Sequence, residues 1–423
     1  MALTNWLERI QQMHPEEIEL GLDRVAQVAS AMELGKPARR VITVGGTNGK
    51  GSVVAFIDAI ARAAGHRVGT YTSPHLLEYN ERVVIDGVQA SDEALVAAFE
   101  AVEAARGETK LTYFEFGTLA ALWLFARADL DLVVLEVGMG GRLDAVNIVD
   151  ADVAVVTTVA LDHVEYLGHD REAIGREKAG ILRSGKPCVV GDAAPPQSLL
   201  QHAAKLATPL LQLGRDFRIA AKPDRTWNWQ SGSEHLDLPA PGLIAPAQHG
   251  NAAMAIAALR AVQPPLPADA AAVALGISQV RLPARMQVIP GPVEIVLDVA
   301  HNPQAAQQLA QWLMRHRAPG ATQAVFAALA DKDVANEVAA MMNFIDVWRL
   351  AGLPNMGKRG QSVEELWQRV AGLLQKSIVT RHSSVARALL EARQYAHPGD
   401  RIVVFGSFHT VAEALRELQK PQT

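Results

Sequence analysis

Val44-Gly45-Gly46-Thr47-Asn48-Gly49-Lys50-Gly51-Ser52 decides the fold. Before it, Arg40–Gly46 is a β-branched run that ends in glycines; after it, residues 52–65 read as an Ala/Val/Ile-rich helix. Strand, glycine loop and helix open a βαβ unit. Glycines let backbone N–H groups curl around phosphate oxygens, the helix N-terminus adds a favourable dipole, and Lys50 supplies a positive charge. The generic phosphate-loop spelling G-x-x-x-x-G-K-[ST] is not matched, because Gly51 stands between Lys50 and Ser52. A mere turn would also use these glycines, but Thr47, Asn48 and Lys50 are costly choices for one.

Outward from the loop, short apolar runs recur at 67–71, 132–137, 153–159 and 187–191, with helical stretches at 92–106, 113–128 and 170–182. This alternation predicts a mostly parallel sheet with helices on both faces. Residues 217–238, with Trp227 and Trp229, read as antiparallel strands at the side of that sheet, and helices return at 251–262 and 268–280. The proline-dense stretch 285–292 lacks a helical period and reads as a linker. The α/β pattern then restarts at 294–299. The expectation is a larger α/β domain over 1–284 and a smaller Rossmann-like α/β domain over 293–423.

The chain has 423 residues, 49% hydrophobic and 20% charged, with a formal net charge of −5. That is too apolar for disorder and carries no basic excess of the kind a nucleic-acid partner needs. The single cysteine, Cys188, excludes an internal disulfide framework and a thiolate metal cluster. Asp129 and Asp131 interrupt the longest apolar candidate for a membrane span, and the N-terminus lacks a signal-peptide pattern. A cytoplasmic enzyme with no membrane partner is expected.

Four further clusters carry chemistry. Tyr71-Thr72-Ser73-Pro74-His75 follows a strand, where ligands of open α/β sheets sit, so Ser73 could reach a magnesium ion; Ser-Pro is also a good loop starter. Glu136 ends an apolar strand, and a buried carboxylate there needs a partner such as a metal. The following Gly138-Met139-Gly140-Gly141-Arg142-Leu143 fails as a dinucleotide fingerprint, because Leu143 takes the third glycine position. His163 stands just past another strand, and Lys178 lies in the helix beyond; a ligand and a structural role both fit His163, and Lys178 also fits a solvated helix face. In the second domain Asp298 and His301 suit binding of a ribose hydroxyl or of a second, metal-linked substrate, while Asn302 and Pro303 fit a helix N-cap and first turn.

Together these clusters resemble the Mur-ligase-like superfamily, and within it the bacterial folylpolyglutamate synthase family. Besides them the resemblance rests on residues 18–25, Leu111–Thr118, Arg176–Ile181, Asp331-Lys332-Asp333 and Gly406-Ser407-Phe408-His409-Thr410. The Gly51 insertion is that family's own spelling. The resemblance implies an ATP-dependent ligase joining L-glutamate to dihydropteroate and to tetrahydrofolate glutamyl tails. Thr47, Asn48, Gly49, Lys50, Gly51 and Ser52, with Asn251, Arg285 and Asp298, would then bind ATP. Ser73, Glu136 and His163 would hold magnesium, two ions in all, and Lys178 would be carried as a carbamate. Lys50, Lys178 and His301 take the catalytic roles, with His301 and His409 on the glutamate side. Glu17, Ile18, Glu19, Leu20, Thr112, Tyr113, Phe114, Arg142 and Asp144 would surround the pterin. The resemblance also implies a monomer whose two domains close over the nucleotide. A Mur-type ligase of cell-wall precursors stays open as a rival, although it normally carries a further N-terminal domain. A nucleotide switch without ligase chemistry is the other; its GTPase form would want an Asn-Lys-x-Asp motif, which is lacking.

Overall fold

The computed structural model describes residues 1–16, 18–222, 224 and 226–420. The chain divides into two compact units, Met1–Gly242 with Gln248–Val280, and Leu243–Ala247 with Arg281–Thr423.

The first unit is built on an eight-stranded sheet in the order Val88–Gln89, Val83–Ile85, Val68–Tyr71, Leu132–Glu136, Arg40–Gly45, Val153–Val156, Cys188–Val190 and Leu210–Gln212. Val83–Ile85 runs antiparallel to both its neighbours, Val88–Gln89 and Val68–Tyr71; all other pairs are parallel. The central strands are buried along their whole length, which is why they read as continuous Val/Leu/Ile runs rather than alternating ones. In register, Val44 stands opposite Glu136 and Gly45 opposite Val156, so the carboxyl ends of three central strands, two of them bearing Gly45 and Glu136, lie side by side. Helix Lys50–Ala63 leaves that edge and buries Val53, Val54, Phe56, Ile57 and Ile60. Helix Tyr113–Phe125 is apolar nearly all round and correspondingly buried. Its start is fixed by a capping box in which Glu115 N donates to Thr112 Oγ1 and Thr112 N donates to the Glu115 carboxylate. Two N-terminal helices, Leu3–Gln11 and Asp23–Ala31, cover the same core; the first shows its helical period in Leu3, Trp6, Leu7 and Ile10.

Residues 217–238 are antiparallel as expected, but they form a separate three-stranded sheet rather than extending the main one. Phe217, Trp227, Trp229, Leu236 and Leu238 are buried, and Trp227 meets His249 of helix Gln248–Ala261 edge-on at 5.5 Å.

The second unit carries a six-stranded sheet, Gln287–Ile289, Glu294–Leu297, Arg401–Phe405, Thr322–Phe326, Val347–Ala351 and Ile378–His382. The stretch 285–292, expected as a linker, instead supplies the first of these strands. Gln287–Ile289 pairs antiparallel with the next strand, so Pro290-Gly291-Pro292 makes a hairpin turn, and the change between units falls at Val280–Arg281. Proline density is common to turns and linkers, and only the pairing tells them apart.

Candidate active site

The phosphate-loop candidate is held by the strand end beside it. Thr47 N donates to Thr158 O at 2.8 Å, Ala160 N to Thr47 Oγ1 at 3.0 Å, Asn48 N to Thr158 Oγ1 at 3.1 Å, and Thr157 Oγ1 to Asn48 O at 2.7 Å. Two glycines are obligatory. Gly46 has φ +136°, and a Cβ there would lie 1.9 Å from Thr157 Oγ1. Gly49 has φ +91° at the helix start, where a Cβ would lie 2.7 Å from Asn251 Oδ1. Lys50 Nζ folds back to donate to the carbonyls of Gly46 and Thr47, both at 3.2 Å. Ser52 is buried and accepts from Gln248 Nε2 at 3.4 Å; Gln248 in turn accepts from Asn251 Nδ2 at 3.0 Å. Helix Gln248–Ala261 is therefore the loop's second wall.

Along the same edge Ser73 N donates to the buried Glu136 carboxylate at 3.3 Å. His163 begins a short helix with φ +49°, and its N–H donates to Asp162 Oδ1 at 2.9 Å. Lys178 is buried in helix Arg171–Ala179. Burial pushes its ammonium down to about 7, and the Lys50 charge adds to this, against the opposing pull of Asp162 and Asp144. Near pH 7, then, Lys178 holds a large share of neutral amine. Asp144 moves the other way: burial raises its carboxyl to about 7, while the N–H groups of Met139 (2.8 Å) and Val146 (3.1 Å) hold its two oxygens.

The loop 138–144 meets both neighbours closely. A Cβ on Gly141 would lie 2.9 Å from Glu177 O, and one on Gly138 would lie 2.7 Å from the Phe114 ring. Arg142 pairs with Glu177 at 2.9 Å and stays over half exposed. Segment 18–20 reaches this region through Arg24, which pairs with Glu19 and donates to Glu115 Oε1 at 3.0 Å. Glu17 lies outside the described residues. Thr112, Tyr113 and Phe114 thus stand between segment 18–20 and loop 138–144, with the Phe114 and Tyr71 rings 5.9 Å apart. Arg82, which sequence reading passed over, and His75, quoted there without a role, join this group: Arg82 Nε donates to His75 Nδ1 at 2.8 Å. Gln248 was also passed over, and Thr157 and Thr158, though part of the stretch that ends in His163, carried no assigned role, since no local pattern marks a residue that braces a loop from a distant segment.

In the second unit Asp298 is buried at the end of strand Glu294–Leu297. It accepts from Met286 N at 2.7 Å and Ala300 N at 2.8 Å, and burial raises its carboxyl. Phe408 links two predicted residues: the Arg285 guanidinium lies 4.9 Å from its ring and His301 6.1 Å. Asn302 is the N-cap, accepting from Ala305 N at 3.0 Å, with Pro303 next. The imidazole of His409 is lowered by burial first and then by the Arg359 and Arg416 charges.

This geometry has close relatives. The Mur ligase middle domain matches residues 44–258, and the Mur ligase glutamate ligase domain matches residues 284–408. The dihydrofolate synthase/folylpolyglutamate synthase of Escherichia coli is 44% identical over 98% of this chain and 94% of its own length. The Haemophilus influenzae protein of the same name is 40% identical over 97% and 96%. The solved E. coli structure in complex with DHPP and ADP superposes with a TM-score of 0.92 at 42% identity, covering 99% of this chain and 98% of that one. A bifunctional folylpolyglutamate synthase/dihydrofolate synthase with Mn, AMPPNP and L-glutamate bound gives 0.91 at 44%, over 99% and 98%. With both Mur ligase domains matched and such identity over nearly its whole length, this chain belongs to the dihydrofolate synthase/folylpolyglutamate synthase family of Mur-type ligases.

Proposed function

We propose that this chain uses ATP to join L-glutamate to dihydropteroate, giving dihydrofolate, and to the γ-carboxylate of folate glutamyl tails. The observation that carries the reading is a row of strand ends bearing Lys50 on a glycine-held loop and the buried Glu136, with the buried Lys178 of helix Arg171–Ala179 close enough for the Lys50 charge to act on it. Its family membership supports the same chemistry.

In this reading Thr47–Ser52 and Asn251 bind the ATP phosphates, and Lys50 unfolds from its own loop carbonyls to offset charge growing on the transferred phosphoryl oxygens. The substrate carboxylate attacks the γ-phosphorus and ADP leaves. The glutamate amine then attacks the acyl phosphate carbon, and phosphate departs as the amide forms. No protein nucleophile is required. Magnesium, when bound, screens phosphate charge; Ser73, Glu136 and His163 are the residues that would hold its two ions. The donor set fits a hard cation, being largely oxygen. Lys178, with its neutral amine, can add CO2 by nitrogen attack on carbon and loss of a proton, turning a cation into an anion beside the metal residues.

Ile18, Glu19, Leu20, Thr112, Tyr113, Phe114, Arg142 and Asp144, with Glu17, are assigned to the pterin. From the second unit Arg285 and Asp298 are assigned to the nucleotide, and His301 and His409 to the glutamate side. We read the protein as a cytoplasmic monomer without nucleic-acid or membrane partners; no helix among the described residues is long and apolar enough to cross a membrane. ADP release tests the function with dihydropteroate plus glutamate, with tetrahydrofolate plus glutamate, and with glutamate alone. Release in the first two and silence in the third is expected. Silence in all three refutes the reading.

A further inference from the structure

Arg82 is a buried cation with no matching anion. Its residue is only 8% exposed, yet among the described residues no carboxylate pairs with it. Its partners are aromatic: Nε donates to His75 Nδ1, the Tyr71 hydroxyl shares a hydrogen bond with the guanidinium, and the guanidinium lies 5.3 Å from the Tyr79 ring and 5.5 Å from that of Tyr113. Aromatic faces attract a cation, but they do not replace the hydration it lost, and an unpaired buried charge is costly. Such a site is stable only when an anion completes it or when the cation serves one that arrives.

The position says which anion. Arg82 O accepts from Thr72 N at 2.9 Å, directly before Ser73 at the proposed metal and phosphate end. Its guanidinium meanwhile faces Tyr113, beside Thr112 and Phe114 at the proposed pterin end. On the proposed function, a substrate running from the pterin end to the reacting carboxylate would pass this point. Dihydropteroate carries one carboxylate, the one that reacts. A folate with a glutamyl tail carries a second, the α-carboxylate, which takes no part in the chemistry and must be accommodated.

We propose that Arg82 is the subsite for the α-carboxylate of the folate glutamyl tail, and so a specificity residue for the second of the two ligations. This rests on the proposed function. An Arg fork has five N–H donors, and with His75 and Tyr71 taking one each the guanidinium is fixed in one orientation with donors left for a carboxylate.

The test compares the parent with Arg82→Met, which keeps the apolar stem and removes the charge, and with Arg82→Lys. Each is assayed with dihydropteroate, with tetrahydrofolate, and with a tetrahydrofolate whose α-carboxylate is an amide. Thermal melting of each variant reports folding separately. Arg82→Met should lower the ratio of kcat/KM for tetrahydrofolate over dihydropteroate by about tenfold or more, chiefly through KM, with Arg82→Lys recovering part of it. The amide substrate should lose a similar factor with the parent and little more with Arg82→Met, because the two changes remove one interaction. Equal losses for both natural substrates, or independent and multiplying losses from variant and amide, would overturn the assignment and leave Arg82 a packing residue. A parent inactive with both natural substrates would instead refute the proposed function.

Discussion

A Cβ atom on Gly49 would lie 2.7 Å from Asn251 Oδ1, so the phosphate loop and helix Gln248–Ala261 fit together only because position 49 is glycine. The backbone there is left-handed as well, at φ +91°. Gly49→Ala should therefore cost about 1–2 kcal/mol from the backbone alone, and more from the displaced Asn251. The KM for ATP should rise more in Gly49→Ala than in Asn251→Ala, which removes the obstruction's target but leaves the loop free. Denaturant titration and ATP saturation curves measure the two parts; equal KM values would contradict the fit.

Among the described residues Lys50 Nζ donates to the carbonyls of Gly46 and Thr47, both in its own loop, so its removal should disturb little of the fold. Lys50→Ala should keep the parent's melting temperature within a few degrees and lose about 100-fold or more in kcat for ADP release. A loss smaller than about tenfold would remove the loop from the phosphoryl-transfer step.

Lys178 makes a prediction with a definite sign. Its ammonium sits at about 7 in the fold against 10.5 in the unfolded chain, so between these values the unfolded state binds more protons. Stability should then rise with pH from about 7 upwards in CO2-depleted buffer, and Lys178→Met should flatten that rise. Asp144, raised to about 7, acts oppositely: the folded state holds its proton, and this contribution is lost as pH climbs through 7. Carbamate formation needs the neutral amine. At equal dissolved CO2, enzyme stripped of CO2 should regain activity faster at pH 8 than at pH 6.5. Activity indifferent to CO2 would argue against the carbamate.

Arg142 separates binding from folding. Its pair with Glu177 is over half exposed, so Arg142→Ala should cost less than about 1 kcal/mol of stability. If the side chain faces the pterin substrate, KM for dihydropteroate should rise severalfold while KM for ATP stays put. A rise in the ATP value alone would move Arg142 out of the pterin group.

Much of this was legible along the chain because it is local. Arg40–Gly45, the glycines of the loop and helix Lys50–Ala63 follow one another, and period and turn chemistry identify such units without distant contacts. The same holds for Asn302 as an N-cap and for the carboxylate ending strand Leu132–Glu136. The parallel sheet itself follows from apolar runs alternating with helices.

Other features were set only by tertiary contact. Gln287–Ile289 looked like linker because proline marks turns and linkers alike; pairing with Glu294–Leu297 made it a strand. Thr157, Thr158 and Gln248 brace the loop across more than a hundred residues of chain, which no spacing encodes. The amine of Lys178 reads as an ordinary helix lysine until burial and the nearby Lys50 bring it to about 7. Sequence by itself determined which residues could do the chemistry, since that depends on residue type and neighbours in the chain. Only the folded structure decided their protonation and their charge balance, Arg82's included, because both depend on how much water and which charges remain around a group once distant segments have packed against it.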